Sequence, residues 1–298
     1  MEQTDEQDTH HCERLNRPTK GGRCMELEIT TIFVLCDELL TAMHIQEDTQ
    51  IQMNTAEVMT VPLTAARFFH GHQNHARVFL HEHGYIPAML SESRRNRRIH
   101  AIPEVVWLSV FRILAETFKA TNPAQEYCLD SFPIPICDNI RIKRAKRYQG
   151  EAYRGYIASK RRYCFGLRVH MIVTASGQPV ELILRPGAEA DVSVYQDFTF
   201  DLPEQAECYT DKANNAYAFE DLGKEAVHIR IKPARKKNSK RATDPYVVVR
   251  YEQYIRKRIE TAFSQITNFF PKHIHAVTRK GFELKVLFFI LAFAISFL

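Results

Sequence analysis

Glu207-Cys-Tyr-Thr-Asp211-Lys-Ala-Asn-Asn-Ala-Tyr217 decides how the second half of the chain is read. A short apolar approach ends on a lone acid, and small polar residues then open a helix running to about Gly223. A carboxylate at the C-terminal end of a buried strand faces the crevice where open α/β sheets take their ligands. One acid rarely holds a divalent cation, so partners are needed. Asp130 lies in Tyr127-Cys-Leu-Asp-Ser-Phe-Pro-Ile-Pro135, and Glu260 in Tyr254-Ile-Arg-Lys-Arg-Ile-Glu-Thr-Ala-Phe263. Carried on two strands and a helix, the three would form a hard-oxygen site suited to Mg²⁺. Each acid also has a plainer reading. Asp130 and Asp211 could be strand-end turn acids, and Glu260 could pair with Arg256 one turn away.

Outward from these acids, the sheet reads as strands first and then alternating helix and strand. Phe165 to Thr174 alternates, with Leu167, Val169, Met171 and Val173 on one face, and Ala175 to Gln178 turns the chain back. Val180, Leu182 and Leu184 alternate in the returning strand. Asp191 to Phe198 reads as a short helix and Ala226 to Ile231 as a strand. Pro133 and Pro135 argue that the strand carrying Asp130 ends within a few residues, since proline cannot donate to a central ladder. From Val249 to Phe269 the residues Ile255, Ile259, Ala262, Phe263, Ile266 and Phe269 form the core stripe of a helix, with Glu260 on the adjoining polar stripe.

Before this half lies a helical texture. Apolar residues repeat at helical spacing from Leu27 to Met43. Asn54-Thr-Ala-Glu57 has the form of a capping box, and Pro62 should kink or end the helix it opens. A short helix follows around Ala76 to Glu82. Ser91 then caps a helix dense in arginine: Arg94, Arg95, Arg97 and Arg98. Short helices, tight turns and a basic helix suggest a helix-turn-helix-like DNA reader, against the alternative of a basic surface helix. His70, His72, His75, His81 and His83 lack the paired ligand arms of a zinc site and read as exposed polar residues. Pro103 opens another helix, and 120–125 reads as a linker. The expected organisation is a disordered leader over 1–24, a helical DNA-binding domain over 25–120 and a catalytic domain over 121–298. The leader reading rests on the polar texture before Arg23, and Met25 marks where the texture changes.

The 298 residues carry a formal charge of only +5, but the cations are clustered. Besides the arginine helix there are runs at Arg141, Lys143, Arg144, Lys146 and Arg147, at 160–162, and at Arg235, Lys236, Lys237, Lys240 and Arg241. One such run is commonly a solvated face; four favour a polyanion, most simply nucleic acid. The seven cysteines never form CxxC, which fits a reduced, cytoplasmic protein. No signal peptide opens the sequence. The apolar tail from Val286 to Leu298 is shorter than the ~20 residues of a membrane span and reads as a buried helix, so no membrane partner is expected.

Several blocks together resemble DDE transposases of bacterial insertion sequences, whose core is ribonuclease-H-like. They are Leu129 to Cys137, Tyr153 to Tyr163, Gly166 to His170, Asp211-Lys-Ala213, Arg235 to Lys240 and Arg256 to Thr261. Asn214 stands where the family usually has an aromatic, and the stretch before Met25 looks foreign to it. The resemblance implies an α+β fold, with a helical DNA-binding part ahead of a ribonuclease-H-like mixed sheet flanked by helices. It implies Asp130, Asp211 and Glu260 as a metal-binding triad. Mg²⁺, replaceable by Mn²⁺, would activate first water and then a DNA 3′-hydroxyl for attack on phosphorus. The partners implied are terminal inverted repeats and target duplex DNA, bound by a homodimer or larger assembly, in the bacterial cytoplasm. Two other readings stay open at this stage: a ribonuclease-H-like nuclease or resolvase that cuts without joining, and an inactive transposase-derived DNA-binding protein.

Overall fold

The computed structural model describes residues 20–137, 139–157, 161–210, 228–233 and 245–298. Among the described residues five helices come first: α1 (Lys20–Ala42), α2 (Thr55–Phe68), α3 (Gln73–Glu82), α4 (Glu92–Ala101) and α5 (Glu104–Ala120). α1 begins at Lys20, a few residues inside the stretch read from sequence as a leader. At the start of α2 the capping box is present in full. Asn54 Oδ1 accepts from the Glu57 amide at 2.7 Å, and Glu57 Oε2 accepts from the Asn54 amide at 2.7 Å. Pro62 does not end this helix. α2 runs unbroken to Phe68 with Pro62 buried inside it, the surrounding side chains of α1, α3 and the last helix holding it in place.

The described residues of the second half form a mixed sheet of six strands: β1 (Glu126–Cys137), β2 (Arg154–Ile157), β3 (Arg162–Thr174), β4 (Pro179–Pro186), β5 (Glu207–Thr210) and β6 (Arg230–Pro233). β2 and β4 both pair with β3 antiparallel, β3 pairs with β1 antiparallel, and β5 and β6 continue parallel to β1. Two short 3₁₀ turns (Asn139–Arg144 and Glu151–Tyr153) link β1 to β2, and a five-residue α6 (Asp191–Tyr195) precedes β5. Two long helices, α7 (Tyr246–Phe269) and α8 (Arg279–Ile295), close the chain. This is the mixed sheet with flanking helices expected of the α+β reading.

β1 corrects one expectation. It continues through Pro133 and Pro135 to Cys137, paired with β3 along its length. The Glu126 carbonyl accepts from Ala175 on the β3 side, whereas the Gln125 carbonyl accepts from Glu207 on the β5 side. Backbone groups alternate sides along a strand, so Pro133 and Pro135, which share the parity of Gln125, face the β5 side. Pairing with β5 stops at Leu129. Each proline therefore lacks an N–H only where that ladder has already ended.

The β3–β4 turn is held by Thr174 donating its amide to the Gln178 carbonyl at 2.9 Å. Gly177 takes φ +91° there, and a Cβ at this position would stand 2.7 Å from the Ala262 Cβ on α7. Glycine thus serves both the turn and the close approach of the helix.

One continuous hydrophobic core runs through both halves. α8 packs against α2, α5 and α7, and α5 packs on β4. Trp107 of α5 meets Phe288 of α8 with ring centroids 4.7 Å apart. The 120–125 stretch is the junction of α5 and β1, and the core crosses it. The apolar tail is a buried helix, with every residue from Val286 to Ile295 inside. Among the described residues no helix is long and apolar enough to cross a membrane. Cys36 and Cys208 are buried free thiols whose pKa burial pushes up to about 12, so they behave as small hydrophobes.

Candidate active site

The parallel ladder between β1 and β5 ends on the pair Leu129 and Thr210. Asp130 is the next residue on β1. It is half-buried, and its Oδ1 accepts from the Ser131 amide at 2.7 Å. Asp211 follows Thr210 in the sequence but lies outside the described residues. Side chains alternate along a strand, so Asp130 and Phe132 share a face. Phe132 meets Phe263 of α7 at 6.3 Å between ring centroids and Phe270 just beyond it at 5.6 Å. α7 therefore lies over the face on which Asp130 stands. Glu260, exposed to solvent, is three residues before Phe263, on a neighbouring position of the helix surface.

Two contacts that sequence spacing gave no hint of hold α7 there. Tyr251 donates its hydroxyl to Glu126 Oε1 at 2.7 Å, tying the first half of α7 to β1. Arg256 donates Nη2 to the Lys232 carbonyl of β6 at 3.2 Å, and the same Nη2 lies 4.0 Å from Glu252. The Arg256 guanidinium thus anchors the helix to the sheet one turn before Glu260. At the opening of β5, Glu207 accepts from Lys232 Nζ at 2.7 Å and from the Tyr209 hydroxyl at 2.9 Å. Burial pushes the Glu207 carboxyl up, but the hydrogen bonds and charges of Lys232, Tyr209 and Arg230 outweigh it and hold the pKa below the ordinary range.

The opposite face of the sheet carries a second polar cluster. Asp191, at the start of α6, accepts from Arg168 Nη1 at 2.9 Å and from the Ser131 hydroxyl at 3.1 Å. His170 pairs with Ser131 in the β1–β3 register, so its ring shares that face and points away from the Asp130 side. It is fully buried, with Nδ1 3.6 Å from Asp191. Burial pushes its pKa down to about 4, with the Arg168 and Arg185 charges adding to the effect and Asp191 opposing it. Ser131 links the two faces: its amide holds the Asp130 carboxylate and its hydroxyl holds Asp191. The partners lie about 60 residues apart in sequence, too far for a local pattern to announce them.

Residues 121–277 match the family model of the transposase DDE domain. The chain belongs to the DDE transposase family. The match covers just over half of the 298 residues, from the end of α5 to just before α8. No curated protein matches the chain. Among solved structures it is similar to a cryo-electron-microscopy structure of piggyBac transposase in a synaptic complex with hairpin DNA, at 10% identity and a TM-score of 0.47, over 91% of this chain and 73% of that one.

In this DDE transposase the basic side chains singled out from sequence fall into distinct settings. Arg94 and Arg97 on α4 are exposed. Arg95 is 2% exposed and donates Nη1 to the Gln73 carbonyl at 3.0 Å. Arg98 donates to the Met53 carbonyl and, at 3.2 Å, to the Thr55 hydroxyl at the start of α2. Arg95 and Arg98 therefore brace the helical part from within. Arg141, Lys143, Arg144 and Lys146 are exposed, whereas Arg147 donates to the Ala276 carbonyl and lies over the Phe282 ring. Arg235, Lys236, Lys237, Lys240 and Arg241 lie outside the described residues. Among the described residues no three His, Cys, Asp or Glu side chains converge on a metal position. Asp130 and Glu260 still supply the oxygen donors that a hard divalent cation takes.

Proposed function

We propose that this transposase cleaves DNA at the terminal inverted repeats of an insertion sequence and joins the freed ends to target DNA. Asp130, Asp211 and Glu260 are its catalytic acids. The observation that carries the reading is the end of the β1–β5 ladder at Leu129 and Thr210, immediately before Asp130 and Asp211, beneath the helix that bears Glu260. Divalent cations held by these carboxylates, Mg²⁺ or in its place Mn²⁺, would supply activation of an oxygen nucleophile and relief of charge at phosphorus.

The chain's own groups position the reactants. The Ser131 amide fixes the Asp130 carboxylate, and Tyr251 and Arg256 fix the helix carrying Glu260. The exposed Arg94 and Arg97, together with Arg141, Lys143, Arg144 and Lys146, present cations for phosphate contacts that place a duplex without reading its bases. The 234–244 basic run is assigned the same role by its composition. The helical part over 25–120 is proposed as the end-binding portion, the 121–298 part as the catalytic one, and the working form as a homodimer or larger assembly on DNA in the cytoplasm.

The test is an assay of the purified chain on DNA carrying the element ends, with and without Mg²⁺. Metal-dependent cleavage followed by joined products supports the reading. Cleavage with no joining would make the protein a nuclease, and binding with neither step would make it a DNA-binding descendant of a transposase.

A further inference from the structure

A cavity of about 680 Å³, lined by neither Asp130 nor Glu260, lies between the helical part and the segment joining α7 to α8. The first turns of two ten-residue helices line it, Gln73 to His75 of α3 and Glu92 to Ser93 of α4. Neither helix has a side-chain cap: the flanking residues His72 and Ser91 make no capping hydrogen bond. An uncapped N-terminus leaves backbone N–H groups unsatisfied and carries partial positive charge, which favours an anion.

Arg95 supplies the second, independent observation. Its side chain lines the same cavity and is 2% exposed; Nη1 donates to the Gln73 carbonyl at 3.0 Å, and Nε has no hydrogen-bond partner among the described residues. Burial lowers its pKa, eased by the charge of Glu92 and reinforced by that of Arg77. A buried guanidinium with an unused donor is costly unless an anion meets it. Lys285 adds another cation to the wall, its own pKa lowered by burial and by the Arg147 charge. Five imidazoles, His70, His72, His75, His273 and His275, stand around the opening, and Glu92 is the one acid of the lining. A neutral imidazole carries one N–H, so these rings can donate hydrogen bonds to an anion.

We propose that this cavity binds a phosphate group, held by Arg95, Lys285, the first-turn amides of α3 and α4, and the imidazoles of His72 and His273. The group could belong to a DNA backbone, a DNA 5′-end or free phosphate. The lining includes neither Asp130 nor Glu260, so phosphate binding by a chain that fails to cleave DNA leaves the proposal intact.

The experiment is thermal melting of the full chain titrated with inorganic phosphate, against sodium chloride at matched ionic strength. Melting should rise by a few degrees with phosphate alone. Arg95→Gln should weaken phosphate at least tenfold, and the paired exposed changes His72→Ala and His273→Ala severalfold. If Arg95→Gln does not fold, the histidine pair decides. No phosphate-specific rise, or equal affinity in the folded variants, overturns the proposal. Competition with short duplexes assigns the source. Displacement by a 5′-phosphorylated duplex only points to a DNA end, displacement by phosphorylated and unphosphorylated duplexes alike to the backbone, and displacement by neither to free phosphate.

Discussion

Phe132 of β1 and Phe263 of α7 meet edge to face, their ring centroids 6.3 Å apart and their planes at 66°. Phe132 lies two residues after Asp130 on the same face, and Phe263 three residues after Glu260. This contact is one of those that hold the helix bearing Glu260 over the face of β1 that carries Asp130. Such a ring pair contributes about 1 kcal/mol beyond the area it buries. Phe263→Leu should lower stability by at least about that amount, read as a lower urea midpoint with an unchanged slope. Cleavage should fall further than the unfolded fraction explains, because Glu260 loses its support.

The four arginines of α4 should separate by burial. Arg98→Ala removes two hydrogen bonds from the start of α2 and should cost about 2 kcal/mol, with a clear drop in melting temperature. Arg94→Ala with Arg97→Ala should leave melting almost unchanged while weakening DNA binding and flattening its salt dependence. Loss of preference for the element ends would show base reading by that helix, and an equal loss on random DNA would show phosphate contact alone.

Much of this fold is written locally. The Asn54 and Glu57 box, the turn at Gly177, the core stripe of α7 and the buried tail all follow from residues within a few positions of one another. What escaped depends on distant neighbours. Whether Pro133 and Pro135 interrupt β1 turns on where β5 stops pairing, which no local pattern encodes. Its place among arginines gives Arg95 the look of a DNA-facing cation, yet it lies four residues before buried Ile99 and so shares the inward face of α4. Of the acids, Asp130 and Glu260 were legible as types and as elements. The Tyr251, Arg256 and Ser131 contacts that position them join segments far apart in the chain.

Asn54→Ala should cost about 1 kcal/mol, the usual loss for a helix N-cap. Equilibrium unfolding checks this, and Glu57→Ala should show strong non-additivity with it, since the two side chains close one reciprocal pair.

His170 should make stability fall with acid. Its pKa in the folded chain is about 4, below the ordinary imidazole value of 6.5, so between those pH values the unfolded chain binds more protons. Unfolding free energy then rises with pH across that window, by up to about 1.4 kcal/mol per unit for one group. His170→Phe removes this titration. Urea unfolding at pH 5 and pH 7 should show a smaller difference for the variant than for the parent chain, and equal differences would contradict the assignment.

The central claim is that Asp130, Asp211 and Glu260 act as one metal-holding set. The most direct measurement is cleavage and joining of element-end DNA by Asp211→Asn in Mg²⁺, beside the parent chain and a chelator control. A neutral amide cannot replace an anionic metal ligand, so both reactions should vanish while DNA binding and melting temperature persist. Cleavage surviving in Asp211→Asn, or proceeding in the parent chain despite the chelator, would contradict the account.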